Sequence, residues 1–134
     1  MADTTPPAGR PLSPHLSIYR PLINMMMSIV HRITGAALYF GMIGLAVWLI
    51  AAASGPEAYA TVSAVLGSIP GLLIMIGFTW ALIHHLLGGI RHLIWDAGYG
   101  FEIASATRSG MTVVGAAAVL TLATWALGYA MMGA

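Results

Sequence analysis

Ile33-Thr34-Gly35-Ala36-Ala37-Leu38-Tyr39-Phe40-Gly41-Met42-Ile43-Gly44-Leu45-Ala46-Val47-Trp48-Leu49-Ile50-Ala51-Ala52-Ala53 runs for 21 residues without a charged side chain, and this stretch decides the fold. A helix of that length rises about 30 Å, the thickness of the hydrocarbon core of a bilayer. Strands are excluded, because no segment sustains period-2 alternation and in lipid only helices or closed barrels satisfy their backbone groups. The composition agrees. Of 134 residues, 59% are hydrophobic and 7% charged, with no lysine at all. Such values lie far from those of soluble domains and read as an all-α, integral membrane protein of one domain.

Outward from this run, the first membrane helix extends back to Ile23 and spans about 23–53. Before it, residues 1–22 form an arm holding Pro6, Pro7, Pro11, Pro14 and Pro21. Proline lacks an N–H donor and restricts its predecessor, so the arm is expected to be extended or turned rather than helical. It does not read as a signal peptide, since the arm is long and the apolar run exceeds an h-region. After the turn Ser54-Gly55-Pro56-Glu57, a second span is expected over about 61–93, with a bend or restart at Pro70-Gly71. A more polar segment, Trp95 to Ser109, precedes a third span over about 110–132. The chain thus divides into the arm, 1–22, and a three-helix membrane anchor, 23–134.

All five arginines fall on one side. Arg10, Arg20 and Arg32 precede or open the first span, and Arg91 and Arg108 flank the loop between the second and third. The positive-inside rule then places the N-terminus in the cytoplasm and the C-terminus outside, in the periplasm of a bacterium. The membrane would be the bacterial inner membrane, or the mitochondrial one in a eukaryote. Few bases mean no stripe for nucleic acid. No cysteine means that the chain supplies no disulfide, thiolate metal site or iron–sulfur ligand.

Two ionisable constellations interrupt the apolar text. The first is Ile83-His84-His85-Leu86-Leu87-Gly88-Gly89-Ile90-Arg91-His92-Leu93-Ile94-Trp95-Asp96. Polar and charged groups near a bilayer core are costly and mark functional sites by default. Ala81, Gly88 and Gly89 lie within a turn or so of His85, and a groove free of bulk there suits a flat macrocycle approaching the imidazole. His85 would lie roughly 9 Å inside an interface marked by Arg91. Two readings stand: a histidine hydrogen-bonded to a neighbouring helix, or a haem ligand, with Arg91 and His92 placed to hold the haem propionates.

The second constellation is Ser28, His31, Arg32 and Gly35, at i, i+3, i+4 and i+7 on the first span. Arg32 can snorkel to the headgroups and Ser28 can bond its own backbone. Alternatively the three polar side chains form a quinone pocket, with a hydroxyl donor, an imidazole that passes protons and a fixed cation. Met25-Met26-Met27 reads as packing or as a flexible entrance. Trp48, Trp80 and Trp125 read as packing or anchors, and Gly67-x3-Gly71 as a candidate packing motif.

At these residues the chain resembles a known family. The arm Arg10-Pro11-Leu12-Ser13-Pro14-His15-Leu16-Ser17-Ile18-Tyr19, the run Ser28-Ile29-Val30-His31-Arg32-Ile33-Thr34-Gly35, and His85-x3-Gly89-Ile90-Arg91-His92-Leu93-x-Trp95-Asp96 resemble the cytochrome b556 subunits of succinate dehydrogenase, respiratory complex II. The resemblance implies half of a haem-binding helix bundle, paired with a second small membrane anchor subunit. It implies haem b ligated by His85, where His84 takes a position often held by tyrosine, and ubiquinone near Ser28 and Arg32. His31 maps near both the propionates and the quinone. Further implied partners are a flavoprotein subunit with FAD and an iron–sulfur subunit that passes on electrons from succinate. No catalytic residue is assigned to this chain. Alternatives are an anchor of fumarate reductase or another quinone-linked haem protein, and an anchor without chemistry. A proton or metal transporter is less suited, because the third span has no charged group and no inverted repeat is visible.

Overall fold

The computed structural model describes residues 13–133, and all regular structure among them is helical. The order is α1 (His15–Ile18), α2 (Ile23–Ser54), α3 (Pro56–Gly67), α4 (Ile69–Asp96) and α5 (Ile103–Met132). The arm's Arg10, Pro6, Pro7 and Pro11 lie outside the described residues. Its remainder contains one helical turn, α1, in which the Ser17 hydroxyl donates back to the Pro14 carbonyl at 2.8 Å. Three helices, α2, α4 and α5, are long and apolar enough to cross a membrane.

Contacts along the helices give the topology. Asn24 of α2 meets Arg91 of α4, His31 lies over Gly88, Gly35 over His85, and Gly41 against Phe78. Numbers rise on α2 as they fall on α4, so the pair is antiparallel. The same holds for α4 and α5, joined by Arg91 to Ser109 at one end and Thr79 to Trp125 at the other. The start of α2, the end of α4 and the start of α5 therefore share one end of the bundle. Every arginine and histidine of the three long helices lies toward that end.

Two element boundaries differ from the sequence expectation. The second span, read over 61–93 with a bend or restart at Pro70-Gly71, does restart, but slightly earlier, at Ser68: residues 61–67 finish the short helix α3, and α4 starts at Ile69. The cut has a local cause. Ser68 is extended (ψ 159°), and its hydroxyl accepts from the Gly71 N–H at 3.3 Å. Pro70, lacking an N–H, fits the first turn of α4. Gly71 is pressed against the backbone carbonyls of Val65 and Leu66, where any Cβ would collide. The Gly67-x3-Gly71 pair thus straddles a joint instead of forming one helix face. At the other side of α3, Gly55 turns the chain with φ +124°, a left-handed region that favours glycine.

The second difference is the start of α5 at Ile103, seven residues before Gly110. The loop between α4 and α5 shrinks to residues 97–102, with Gly98 at φ +90° and Gly100 at φ +79°. Backbone bonds from Ala97 to Leu93, Gly98 to Trp95 and Tyr99 to Ile94 close the last turn of α4.

The bundle is packed in the manner of membrane helices. Its buried positions are small or polar: Ala51, Ala81, Ala106, Ala117, Thr34, Thr121, His84 and Arg91, with Met27 and Val113. Bulky apolar side chains such as Tyr39, Phe40, Ile74 and Leu122 face outward. Lipid tails offer such side chains as good a home as a protein core. Close backbone approach and interhelical hydrogen bonds therefore drive association instead.

Candidate functional site

The polar end of the bundle is built by one heptad-like stripe on α4 and the neighbouring stripe beside it. Ala81, His84, Gly88 and Arg91 form the buried stripe, at helical spacing along one side. His85 and His92, seven apart, form the adjoining one. The sequence leaves open which histidine serves a ligand, and the two prove to occupy different environments. His84 is 1% exposed, lies 5.0 Å from the Trp80 ring, and neither ring nitrogen has a partner. His85 is half-buried and engages α2.

That engagement is reciprocal. The His85 ring sits where Gly35 of α2 has no side chain; a Cβ there would come within 2.9 Å of its Cε1. The His31 ring sits where Gly88 of α4 has none, with a Cβ–Nδ1 approach of 2.6 Å. Each helix inserts a histidine into the other's glycine notch. The two imidazoles consequently stack, with centroids 4.0 Å apart and planes within 4°. His85 Nδ1 also lies 3.1 Å from the His31 carbonyl and 3.3 Å from the Thr34 hydroxyl.

This arrangement corrects the expected groove. Ala81 and Gly88 do not lie bare beside His85, because Ala81 is buried in the bundle and His31 fills the notch at Gly88. Only Gly89 of the three opens onto free space.

Ser28, His31, Gly88, Arg91 and His92, together with Asn24, Met27 and Trp95, surround a cleft of about 110 Å³. Four of the expected site residues thus converge. His31 presents a buried Nδ1 without a hydrogen-bond partner, and His92 lies 5.2 Å from the His31 ring. Arg32 stays outside the cleft; like Ser28 it is exposed, one turn further along α2. His85 does not line the cleft but backs onto it through the stack with His31.

Arg91 is held differently from the interfacial cation expected. It is buried, and two neighbouring helices, α2 and α5, grip it. Nε donates to Ser109 Oγ at 2.9 Å, and Nη2 donates to Asn24 Oδ1 at 2.9 Å and to the Ala106 carbonyl at 2.7 Å. Its guanidinium lies 3.9 Å over the Trp95 ring. Trp95 in turn donates to the Gly100 carbonyl at 3.1 Å, which ties the α4–α5 loop to the same cluster. Arg91 is thereby the post on which the starts of α2 and α5 are hung.

Asn24 and Thr34 are the residues sequence reasoning missed. Asn24 precedes Ser28 by one turn on the same face, a signal that was available. Thr34 carried none, because a hydroxyl inside an apolar helix ordinarily bonds its own carbonyls, as this one does to Val30 and His31 at 2.9 Å. Among the described residues no three histidine or carboxylate side chains form a cation cage.

Residues 6–124 match the family model described as succinate dehydrogenase/fumarate reductase transmembrane subunit. The chain belongs to that family. It is 44% identical over 124 residues to the succinate dehydrogenase cytochrome b556 subunit of Paracoccus denitrificans, covering 92% of this chain and 95% of that one. The protein of the same name from Rickettsia prowazekii is 40% identical over 116 residues, 87% of this chain and 90% of its own. The mitochondrial succinate dehydrogenase cytochrome b560 subunit of Sus scrofa is 40% identical over 109 residues, 80% of this chain and 64% of its own. The chain is thus a multi-pass membrane protein whose relatives are subunits of an oxidoreductase complex, and the resemblance read from its three motifs holds over most of its length.

Proposed function

We propose that this chain is the cytochrome b membrane anchor of a succinate:ubiquinone oxidoreductase. In this reading it binds haem b through His85 and forms one wall of the ubiquinone-reduction site with Ser28, His31 and Arg32. The observation that carries the proposal is the convergence of Ser28, His31, Arg91 and His92 on one cleft, with His85 stacked behind it.

The residues fit a haem at His85. Its Nδ1 faces two oxygens, the His31 carbonyl and the Thr34 hydroxyl, so the proton belongs on Nδ1 and the Nε2 lone pair is left for iron. His84, enclosed within the bundle, offers no comparable approach. His92 and the second amino group of Arg91 are the donors proposed for the propionates. When bound, the haem supplies a one-electron store beside the quinone. The other small anchor subunit would help to hold the haem.

At the cleft, the Ser28 hydroxyl would donate to one quinone oxygen, and the His31 imidazole would serve in proton delivery. Arg32, exposed one turn away, supplies positive potential for the negative charge that grows on the quinone oxygens. The cleft's roughly 110 Å³ falls short of the about 300–1,000 Å³ of pockets that enclose a small ligand. Surfaces of the iron–sulfur subunit and the second anchor would complete it, and electrons from succinate would arrive there through the flavoprotein's FAD and the iron–sulfur clusters. The arginine side would face the cytoplasm, where those soluble subunits dock.

The test compares two activities of the complex in membranes. Ser28→Ala and Arg32→Leu should lower succinate-to-ubiquinone turnover about tenfold or more while leaving succinate oxidation by a soluble dye intact. Equal loss of both would contradict the site. Quinol-to-fumarate turnover exceeding the forward reaction would instead favour a fumarate reductase, which the family description also covers.

A further inference from the structure

Resting on the assignment of His85 as haem ligand, we infer that Thr34 is a positioning residue that fixes the tautomer and tilt of the His85 imidazole and so sets its strength as a ligand. Three observations carry this. Thr34 is 2% exposed, so no water competes for its hydroxyl. Its Oγ1 lies 3.3 Å from His85 Nδ1 across the α2–α4 seam. Its single hydrogen is already spent on its own helix, shared between the Val30 and His31 carbonyls at 2.9 Å each.

The His31 carbonyl, which can only accept, decides the donor accounting at His85 Nδ1. A hydroxyl that has given away its hydrogen faces Nδ1 with lone pairs, and so does the His31 carbonyl at 3.1 Å. An unprotonated Nδ1 would face the His31 carbonyl lone pairs at 3.1 Å with no hydrogen between them. A protonated Nδ1 donates to both oxygens and leaves Nε2 bare. Two acceptors instead of one pull Nδ1–H further toward imidazolate and make Nε2 a stronger donor to ferric iron. They also hold the ring in the Gly35 notch, parallel to His31. A β-branched residue at 34 has few rotamers in a helix, so the oxygen is held in place.

The experiment uses the assembled complex in native membranes. Thr34→Val keeps the shape and removes the acceptor, Thr34→Ala removes it without any added bulk, and Thr34→Ser retains it. The readouts are the haem midpoint potential by optical redox titration, the low-temperature electron paramagnetic resonance line of the ferric haem, and the rate of haem loss to a soluble apo-globin scavenger. Thr34→Val and Thr34→Ala should raise the potential, move the resonance line and speed haem loss about tenfold, whereas Thr34→Ser should stay near wild type. Wild-type potential, line and loss rate in either Thr34→Val or Thr34→Ala would overturn the inference. A haem spectrum surviving in His85→Ala would overturn the ligand assignment beneath it, which separates the two failures.

Discussion

The two seams of α4 solve the same packing problem with opposite means. Toward α5, α4 is fastened: Arg91 donates to Ser109 and Ala106, Trp125 donates to Thr79 at 3.3 Å, and Ala117 and Thr121 are buried between. Toward α2, α4 is notched: glycines at 35, 41 and 88 accept two histidines and a phenylalanine, and a cleft with an unpartnered imidazole nitrogen remains. A seam of satisfied hydrogen bonds holds a fold. A seam that leaves a polar atom unpartnered in a membrane is where a functional site is first sought. Arg91 is the one side chain that serves both, since the Asn24 bond carries the α5 seam's rigidity across to the start of α2.

Removing that link should give the largest effect. Arg91→Ala removes a buried cation with the three hydrogen bonds it donates and orphans Asn24 Oδ1. It should cost roughly 3 kcal/mol or more, read as loss of assembled complex from membranes and a lower thermal inactivation temperature. Arg91→Lys, with one ammonium for a planar fork, should recover part. Assembly and stability unchanged in Arg91→Ala would deny it the role of post.

Filling a notch comes next. Gly88→Ala places a methyl 2.6 Å from His31 Nδ1, so the ring or the helix must shift. A cost of about 1–3 kcal/mol is expected, with a perturbed haem resonance and slower quinone reduction. Gly89→Ala meets open space and serves as the control. Equal behaviour of the two would mean that the histidine interlock is absent from the assembled protein.

The smallest effect belongs to the fastened seam away from the polar end. Trp125→Phe removes the bond to Thr79, about 0.6 kcal/mol for a typical interhelical hydrogen bond in a membrane, together with a little ring packing. The haem spectrum and quinone turnover should not change. A spectral change would show that the two seams are not independent.

The three spans are legible in the sequence because bilayer thickness fixes their length and lipid forbids charges within them. The break at Ser68 is announced by Pro70-Gly71, although a short, nearly uncharged α3 hides that a separate helix precedes it. The early start of α5 is hidden for the opposite reason. Glu102, Ser105, Arg108 and Ser109 read as a polar loop, yet α5 needs its first turns there to offer Ser109 and the Ala106 carbonyl to Arg91. At the site, spacing alone puts Ser28 beside Arg32 and His85 beside His92, because helix geometry is local. The partners across the seam, His31 in the Gly88 notch and Thr34 at His85, depend on how two helices approach one another. No pattern within either helix records that.

The contrast within the pair His84 and His85 gives the most direct test. Adjacent in sequence, they differ in that one is enclosed beside Trp80 and the other faces α2 with Nδ1 already committed. The measurement is the reduced-minus-oxidised absorbance spectrum of the purified complex carrying His85→Ala or His84→Ala. If His85 holds the iron, His85→Ala loses or shifts the b-type band and His84→Ala keeps it. An unchanged band in His85→Ala, with loss in His84→Ala, would contradict that assignment.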